Sequence, residues 1–224
     1  ESSRARQQMM KNFIFLSFLL IFIQPSQASD NFYDLFMSGQ KKEAIDKLNM
    51  LVTNGNQDAK YIRGLLYNDA STLNLCDIND FCVSENTSNY DKAYEIFSDL
   101  YENENDPRAA YAIGEYYDNH WVFWPNYKKA FKYYLFAAER GVPEAQYNVA
   151  NMYEFGDGVK RDLIQSVRWY LQCNIASLCG AGVEGIDDLI AELSKEDFEY
   201  AKSLIINDMN EVDIRITASR VIVE

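Results

Sequence analysis

The chain of 224 residues carries 34 acidic and 21 basic side chains, which gives a formal net charge of −13. A surface this acidic repels phosphate backbones and anionic lipid, so nucleic-acid binding and peripheral membrane binding are disfavoured. With one histidine, His120, the chain has little of the chemistry that histidine-based catalysis and metal binding need. The length is sufficient for one continuous hydrophobic core.

The N-terminal residues predict an export signal. Residues 1–8 are interpreted as a leader outside the fold. Residues 9–28 combine the positive charge of Lys11, an eleven-residue apolar core at 13–23 and small residues up to Ala28, which is typical of a signal peptide. Eleven apolar residues are too few to span a bilayer, which takes about 20. We expect cleavage after Ala28 and a periplasmic or secreted chain bound to no membrane, with an uncleaved signal anchor as the alternative.

Residues 145–170 predict a helical hairpin. Apolar and small residues recur at spacings of three and four along a first helix, namely Ala145, Val149, Ala150, Met152 and Tyr153. Gly156 and Gly158 then end this helix, because glycine takes positive φ without a steric clash. Asp162 can cap a second helix, on which one face carries Ser166, Trp169, Tyr170 and Cys173.

The same pattern occurs earlier in the chain. A shift of 36 residues toward the N-terminus aligns Ala109, Tyr111, Gly114 and Tyr117 with Ala145, Tyr147, Ala150 and Tyr153. A further shift of 50 residues reaches Ala59 and Gly64, with an insertion before the second helix at Ala93. A period in the thirties with small residues at fixed sites predicts stacked helical hairpins, in which alanine or glycine lets helices approach closely.

These repeats resemble the Sel1-like repeat family. Its motif, A-x-Y-x-x-[G/A]-x-x-Y followed by G-x-G-V-x-x-D and a small residue before an aromatic pair, is nearly complete in residues 145–170. The resemblance implies an all-α fold, a right-handed α/α solenoid of tetratricopeptide-like hairpins over residues 29–210. It also implies that the helix opened by Ser194 is a C-terminal capping helix. The tail, residues 211–224, is left open between an extended segment and disorder.

The four cysteines form two C-x5-C pairs, Cys76/Cys82 and Cys173/Cys179. An even count in an exported chain predicts disulfides. Residues six apart on a continuous helix are separated by a rise of about 9 Å, beyond disulfide reach, so each pair must lie across a break. A zinc site with four cysteine ligands is the alternative, although zinc usually takes a tighter spacing. The chain resembles the cysteine-containing, exported subgroup of Sel1-like proteins.

The turn at residues 119–127 departs from the repeat. Where residues 145–170 have a glycine turn, this segment has His120, Trp121, Phe123 and Trp124. Exposed aromatic patches are typical of protein recognition sites, so these four residues are predicted to bind a partner. The alternative is that they pack against the insertion around residues 76–82.

The first helices of the repeats are expected to line a concave face. The positions between their core residues include Ile62, Ala112, Glu115, Asn148 and Asn151. Amides at i and i+3 project together and can bind an extended peptide backbone. We predict partner binding by Glu115, Asn148 and Asn151, with ordinary solvated polar residues as the alternative.

The sequence favours a binding module, an exported scaffold that holds a protein or peptide partner. No catalytic residue, cofactor or metal is predicted. Ser38 and Lys41 match the S-x-x-K motif of penicillin-binding enzymes, but no K-T-G motif accompanies them. A cell-wall or β-lactam-related enzyme using Ser38 and His120 is the second interpretation, suggested by cysteine-rich members of the family that the chain resembles. A secreted host-interaction factor is the third.

Overall fold

The computed structural model describes residues 27–78, 80–84, 87–119, 123–175 and 186–208. Over these ranges the protein is mostly helical, with ten helices and one small antiparallel sheet, which confirms the all-α solenoid class. The helices are α1 (Gln27–Met37), α2 (Lys41–Thr53), α3 (Gln57–Asn68), α4 (Tyr90–Glu104), α5 (Pro107–Asp118), α6 (Tyr127–Ala138), α7 (Pro143–Phe155), α8 (Leu163–Ile175), α9 (Ile186–Glu192) and α10 (Lys195–Asp208). The strands are β1 (Cys82–Ser84) and β2 (Thr87–Ser88).

The chain divides into two units, the first ending at Glu104 and the second beginning at Asn105. In the first unit α1 packs on α2, α2 on α3 and α3 on α4. Its buried side chains include Phe32, Ile45, Leu48, Leu66 and Phe97. In the second unit α5 packs on α6, α6 on α7 and α7 on α8, and α8 also contacts α9 and α10. Each unit is therefore a stack of helical hairpins in which a helix is buried mainly by its neighbours in sequence.

A glycine lets the two helices of a hairpin approach closely in each unit. A Cβ added to Gly64 would lie 2.5 Å from the Phe97 ring, and one added to Gly114 would lie 2.5 Å from the Tyr134 ring. In the next repeat the small residue is Ala150, which is fully buried. The predicted role of the small residues is confirmed.

Side-chain caps fix the helix boundaries that the sequence predicted. Asp162 accepts a hydrogen bond from the N–H of Gln165 at 3.1 Å, at the start of α8. Ser194 accepts one from the N–H of Asp197 at 3.1 Å and donates one to its carboxylate at 2.7 Å, so α10 begins with a capping pair. Gly156 follows α7 with a φ of 81°. This helix therefore ends in the left-handed turn that glycine favours.

The insertion after α3 is folded. β1 and β2 form a hairpin that the sequence analysis missed, because strands of three and two residues carry too little alternation to be recognised. A disulfide joins Cys76 to Cys82, as predicted. Phe81 is buried, and its ring lies 4.5 Å from that of Tyr67 on α3. The insertion therefore belongs to the core of the first unit.

Several predictions concern residues outside the described ranges. Cys173 on α8 is buried and disulfide-bonded, but its predicted partner, Cys179, lies outside them, as do the apolar core at 13–23 and the tail at 211–224. Helix α1 begins one residue before the predicted cleavage position, Ala28. None of the described helices has the length and apolar character needed to cross a membrane.

Replacing Gly114 with alanine tests the close approach of α5 and α6. The added Cβ would overlap the ring of Tyr134, which is almost fully buried. We expect Gly114→Ala to lower the free energy of unfolding by about 1–3 kcal/mol, the usual effect of overpacking. Helix propensity alone would instead raise it by about 1 kcal/mol. Chemical denaturation distinguishes these signs, with Glu102→Ala at an exposed helix position as the control.

Candidate functional site

The aromatic turn before α6 is held against α5. Phe123 is half-buried, and its ring lies 5.4 Å from that of Tyr117 and, edge-on, 6.0 Å from that of Tyr116. The backbone N–H of Asn126 donates to the carbonyl oxygen of Tyr117 at 2.7 Å. The Asn126 side chain accepts a hydrogen bond from the N–H of Lys129 at 3.1 Å and caps α6. The described end of the turn is therefore fixed to both helices.

Trp124 is the exposed residue of this turn. Its side chain is 92% accessible, although it stands between the packed Phe123 and the bonded Asn126. An aromatic side chain left in water on a fixed backbone offers a large apolar area to a partner. His120 and Trp121 lie outside the described residues, so the roles predicted for them stay predictions.

Helix α6, which follows Trp124, packs against the aromatic ring of Tyr117 and against the glycine turn after α7. The rings of Tyr117 and Tyr133 stack with centroids 5.9 Å apart, and Lys129 Nζ lies 4.7 Å from the centre of the Tyr117 ring. A Cβ added to Gly158 would lie 2.2 Å from the carbonyl oxygen of Tyr127. The turn after α7 thus lies directly against the first turn of α6 and supports it.

The polar residues predicted on the first helices join one network. Glu115 accepts a hydrogen bond from the Tyr111 hydroxyl at 3.1 Å. Asn148 hydrogen-bonds to the hydroxyl of Tyr134, whose ring centroid lies 5.7 Å from that of Tyr111. Asn151, one turn along α7 from Asn148, is half-buried. The structure therefore brings Glu115 and Asn148 to the same pair of tyrosines and places Asn151 beside them on the helix.

Two positions assigned to the concave face lie in the core instead. Ile62 and Ala112 are 2% and 6% exposed, so neither is available to a peptide. The apolar stripe of a packed helix is more than 100° wide, and it covers positions that flank the most regular core sites. The sequence spacing alone underestimated this width.

Burial controls the protonation of the network. Burial, together with the nearby Glu115 carboxylate, raises the pKa of the Tyr134 hydroxyl far above its usual range. Burial also raises the pKa of the Asp118 carboxyl, with the charge of Asp157 adding to the effect, and burial raises the pKa of the Glu144 carboxyl. The hydroxyl therefore remains a donor at neutral pH, while the carboxyl groups sit in poorly hydrated positions.

A tyrosine–carboxylate bond recurs in successive repeats, and the sequence analysis missed it. The Tyr134 hydroxyl donates to Asp118 at 3.3 Å, and the Tyr170 hydroxyl donates to Glu154 at 2.8 Å. The two tyrosines are 36 residues apart, and so are the two acidic residues. The shared register therefore contained the signal that would have found this pair.

Of the residues considered for an enzyme, the structure describes Ser38 and Lys41 but not His120. The Ser38 hydroxyl donates to the carbonyl oxygen of Leu35 at 3.0 Å, whereas Lys41 Nζ donates to that of Leu73 at 2.6 Å. An S-D-N triplet, another motif of penicillin-binding enzymes, stands at residues 29–31, before Ser38 in the chain. The serine and lysine of the S-x-x-K match are therefore engaged with separate backbone groups.

Two stretches of the second unit, residues 107–142 and 143–172, match the family model of the Sel1 repeat. The chain carries two Sel1 repeats. The first Sel1 repeat contains α5, the Trp124 turn and α6, and the second contains α7 and most of α8. Sel1-repeat proteins generally mediate protein–protein interaction. Trp124, Glu115, Asn148 and Asn151 all lie within these two repeats.

Solved structures share the fold of the Sel1-repeat chain. A protective antigen of uropathogenic Escherichia coli with an SLR fold superposes with a TM-score of 0.55 at 19% identity, covering 85% of this chain and 46% of that one. A Sel1 repeat protein from Oxalobacter formigenes gives a TM-score of 0.51 at 20% identity, covering 83% and 74%. Such identities show a likeness of fold alone, and the chain spans under half the length of the first protein. No curated protein sequence matches it.

Gly156 and Gly158 form a matched pair that tests how the glycine turn supports α6. Both have positive φ, 81° and 70°, so alanine at either position is strained by about 1–2 kcal/mol. Only at Gly158 would the added Cβ also overlap the backbone of Tyr127. We expect Gly158→Ala to lower the free energy of unfolding by at least about 1 kcal/mol more than Gly156→Ala does, measured by chemical denaturation. Equal losses would contradict the supporting role of the turn.

Proposed function

We propose that the protein is an exported scaffold that binds a protein or peptide partner through the Trp124 turn and the adjoining face of its Sel1 repeats, without chemistry. The 92% exposure of Trp124 carries the proposal. Phe123 and Asn126 already fix the backbone on either side of it. Because this backbone is already ordered, binding need not order the turn, and exposed tryptophans are among the residues that dominate binding energies at protein interfaces.

The face containing Glu115, Asn148 and Asn151 supplies the second part of the proposed site. Its half-buried carboxylate and amide groups match the hydrogen-bonding needs of an extended peptide backbone. The hydrogen bonds to Tyr111 and Tyr134 support this assignment, because they orient Glu115 and Asn148 before a partner arrives. Because these polar groups are oriented in advance, they can form hydrogen bonds with a peptide backbone without first being ordered.

Export is proposed from two features. The first is the segment at residues 9–28, with its apolar core and small residues up to Ala28. The second is the use of cysteine, since Cys76 and Cys82 are joined and Cys173 is disulfide-bonded. Disulfides persist in oxidising compartments such as the periplasm and the extracellular medium. A periplasmic or secreted location accounts for both features.

Partner capture tests the role of Trp124. The purified protein, immobilised and exposed to an envelope extract of its source cells, is compared with Trp124→Ala by quantitative mass spectrometry. We expect the variant to capture at least about tenfold less partner, because a hot-spot tryptophan contributes about 2 kcal/mol or more to the binding free energy. Tyr200→Ala, at an exposed aromatic position on α10, is the matched control and should capture as wild type does. Undiminished capture by Trp124→Ala would refute the assignment of the turn.

The N-terminus of the protein recovered from its host tests export. We expect intact-mass measurement to show a chain that begins at Ser29, because signal peptidases cleave after small residues such as Ala28. A chain that begins at Ser29 retains Phe32, which is buried in the core of the first unit. Recovery of a membrane-bound chain that still contains residues 9–28 would instead support the signal-anchor alternative.

A further inference from the structure

Residues 119–138 have a positive net charge, opposite in sign to that of the whole chain. The protein as a whole has a formal net charge of −13, but this stretch contains three lysines and no aspartate or glutamate. It includes the Trp124 turn and all of α6. The segment of chain that contains the exposed tryptophan is therefore basic.

The three lysines lie together at the start of α6 and are exposed. Lys128 and Lys132 are one helical turn apart, as are Lys129 and Lys132, so their side chains are neighbours on the helix surface. Among the residues that the structure describes, no carboxylate forms an ion pair with any of the three. Asp157, in the turn that supports α6, forms none with them either. Their charge is available to a partner.

Aromatic side chains adjoin the lysines. Trp124 is 92% exposed, and Tyr127, the first residue of α6, is 44% exposed. Lys129 is itself held over the ring of Tyr117, with Nζ 4.7 Å from the ring centre. Exposed aromatic side chains and positive charges thus lie close together in the chain, between Trp124 and Lys132.

We propose that the surface formed by Trp124, Tyr127, Lys128, Lys129 and Lys132, the Trp124–Lys132 surface, binds an acidic protein segment with an apolar side chain that covers Trp124. This inference rests on the proposed function and adds the chemistry of the partner. Charge complementarity selects the acidic segment, because a basic segment would be repelled by three lysines with which no described carboxylate forms an ion pair. The amino end of α6 favours negative charge as well.

A lipid surface fits these observations less well. Each lysine near an anionic bilayer contributes about 1 kcal/mol to binding, and among the described aromatic side chains of this surface only Trp124 is almost fully exposed for insertion. The acidic remainder of the protein would be repelled by the same bilayer. A protein segment can contact the basic surface alone, so it avoids this repulsion.

Selection from a phage-displayed library of random dodecamer peptides tests the inference on the purified full protein. We expect wild type to enrich peptides in which aspartate or glutamate flanks an aromatic or aliphatic residue. The enriched peptide, synthesised with a fluorophore, should bind the triple variant Lys128→Glu/Lys129→Glu/Lys132→Glu at least about tenfold more weakly, and its affinity for wild type should fall as salt rises. Lys195→Glu, at an exposed position on α10, is the control for a charge reversal away from this surface and should bind as wild type does. Circular dichroism confirms that each variant is folded.

The outcomes separate this inference from the proposed function. Enrichment of basic or uncharged peptides, failure to enrich any, or equal binding by the triple variant would overturn the acidic-partner inference. If the same peptide still loses affinity with Trp124→Ala, the tryptophan keeps its proposed role; if it does not, that role fails too. Co-sedimentation of wild type, but not of the triple variant, with phosphatidylglycerol vesicles in the absence of acidic peptide enrichment would assign the surface to lipid instead.

Discussion

The contact between a glycine and an aromatic ring sets the spacing of paired helices in both units. Gly64 lies against Phe97, and Gly114 lies against Tyr134, at distances that exclude a Cβ. A hydroxyl buried at such a contact needs a hydrogen-bond partner, because an unpaired one is unfavourable by about 1–3 kcal/mol. Tyr134 finds its partner in Asp118, whereas Phe97 has no hydroxyl to satisfy. The packing of the hairpin therefore determines which carboxylate, here that of Asp118, forms a hydrogen bond with the buried tyrosine.

Since the inner faces of the hairpins are fixed by this packing, the turns between helices are where the repeats differ. In the second Sel1 repeat the turn is small, and Gly158 fits against the backbone at the start of α6. In the first Sel1 repeat the corresponding turn is aromatic, with Phe123 packed on α5 and Trp124 left in water. The same place in the repeat supports a helix in one copy and presents an aromatic side chain in the other.

Acidic and basic groups of the second unit differ in their exposure to water. Asp118 and Glu144 occupy poorly hydrated positions near the first-helix network, while the exposed lysines of α6 carry the opposite charge. Under the proposals above, an acidic segment of the partner would lie on α6, and the face with Glu115, Asn148 and Asn151 would bind uncharged backbone of the partner. Such an arrangement would orient a bound partner, although the chain as a whole is strongly acidic.

By itself, the sequence determined the repeat register, the glycine turn and the caps at Asp162 and Ser194, because these depend on neighbours within a few residues or on a fixed period. It also predicted the Cys76–Cys82 disulfide, because the four cysteines form two C-x5-C pairs, and the rise of a helix required each pair to lie across a break. Only the tertiary structure decided that Phe123 is packed while its neighbour Trp124 is exposed, and that Ala112 belongs to the core. Those outcomes depend on which distant residues cover a given side chain, and local spacing does not contain that information.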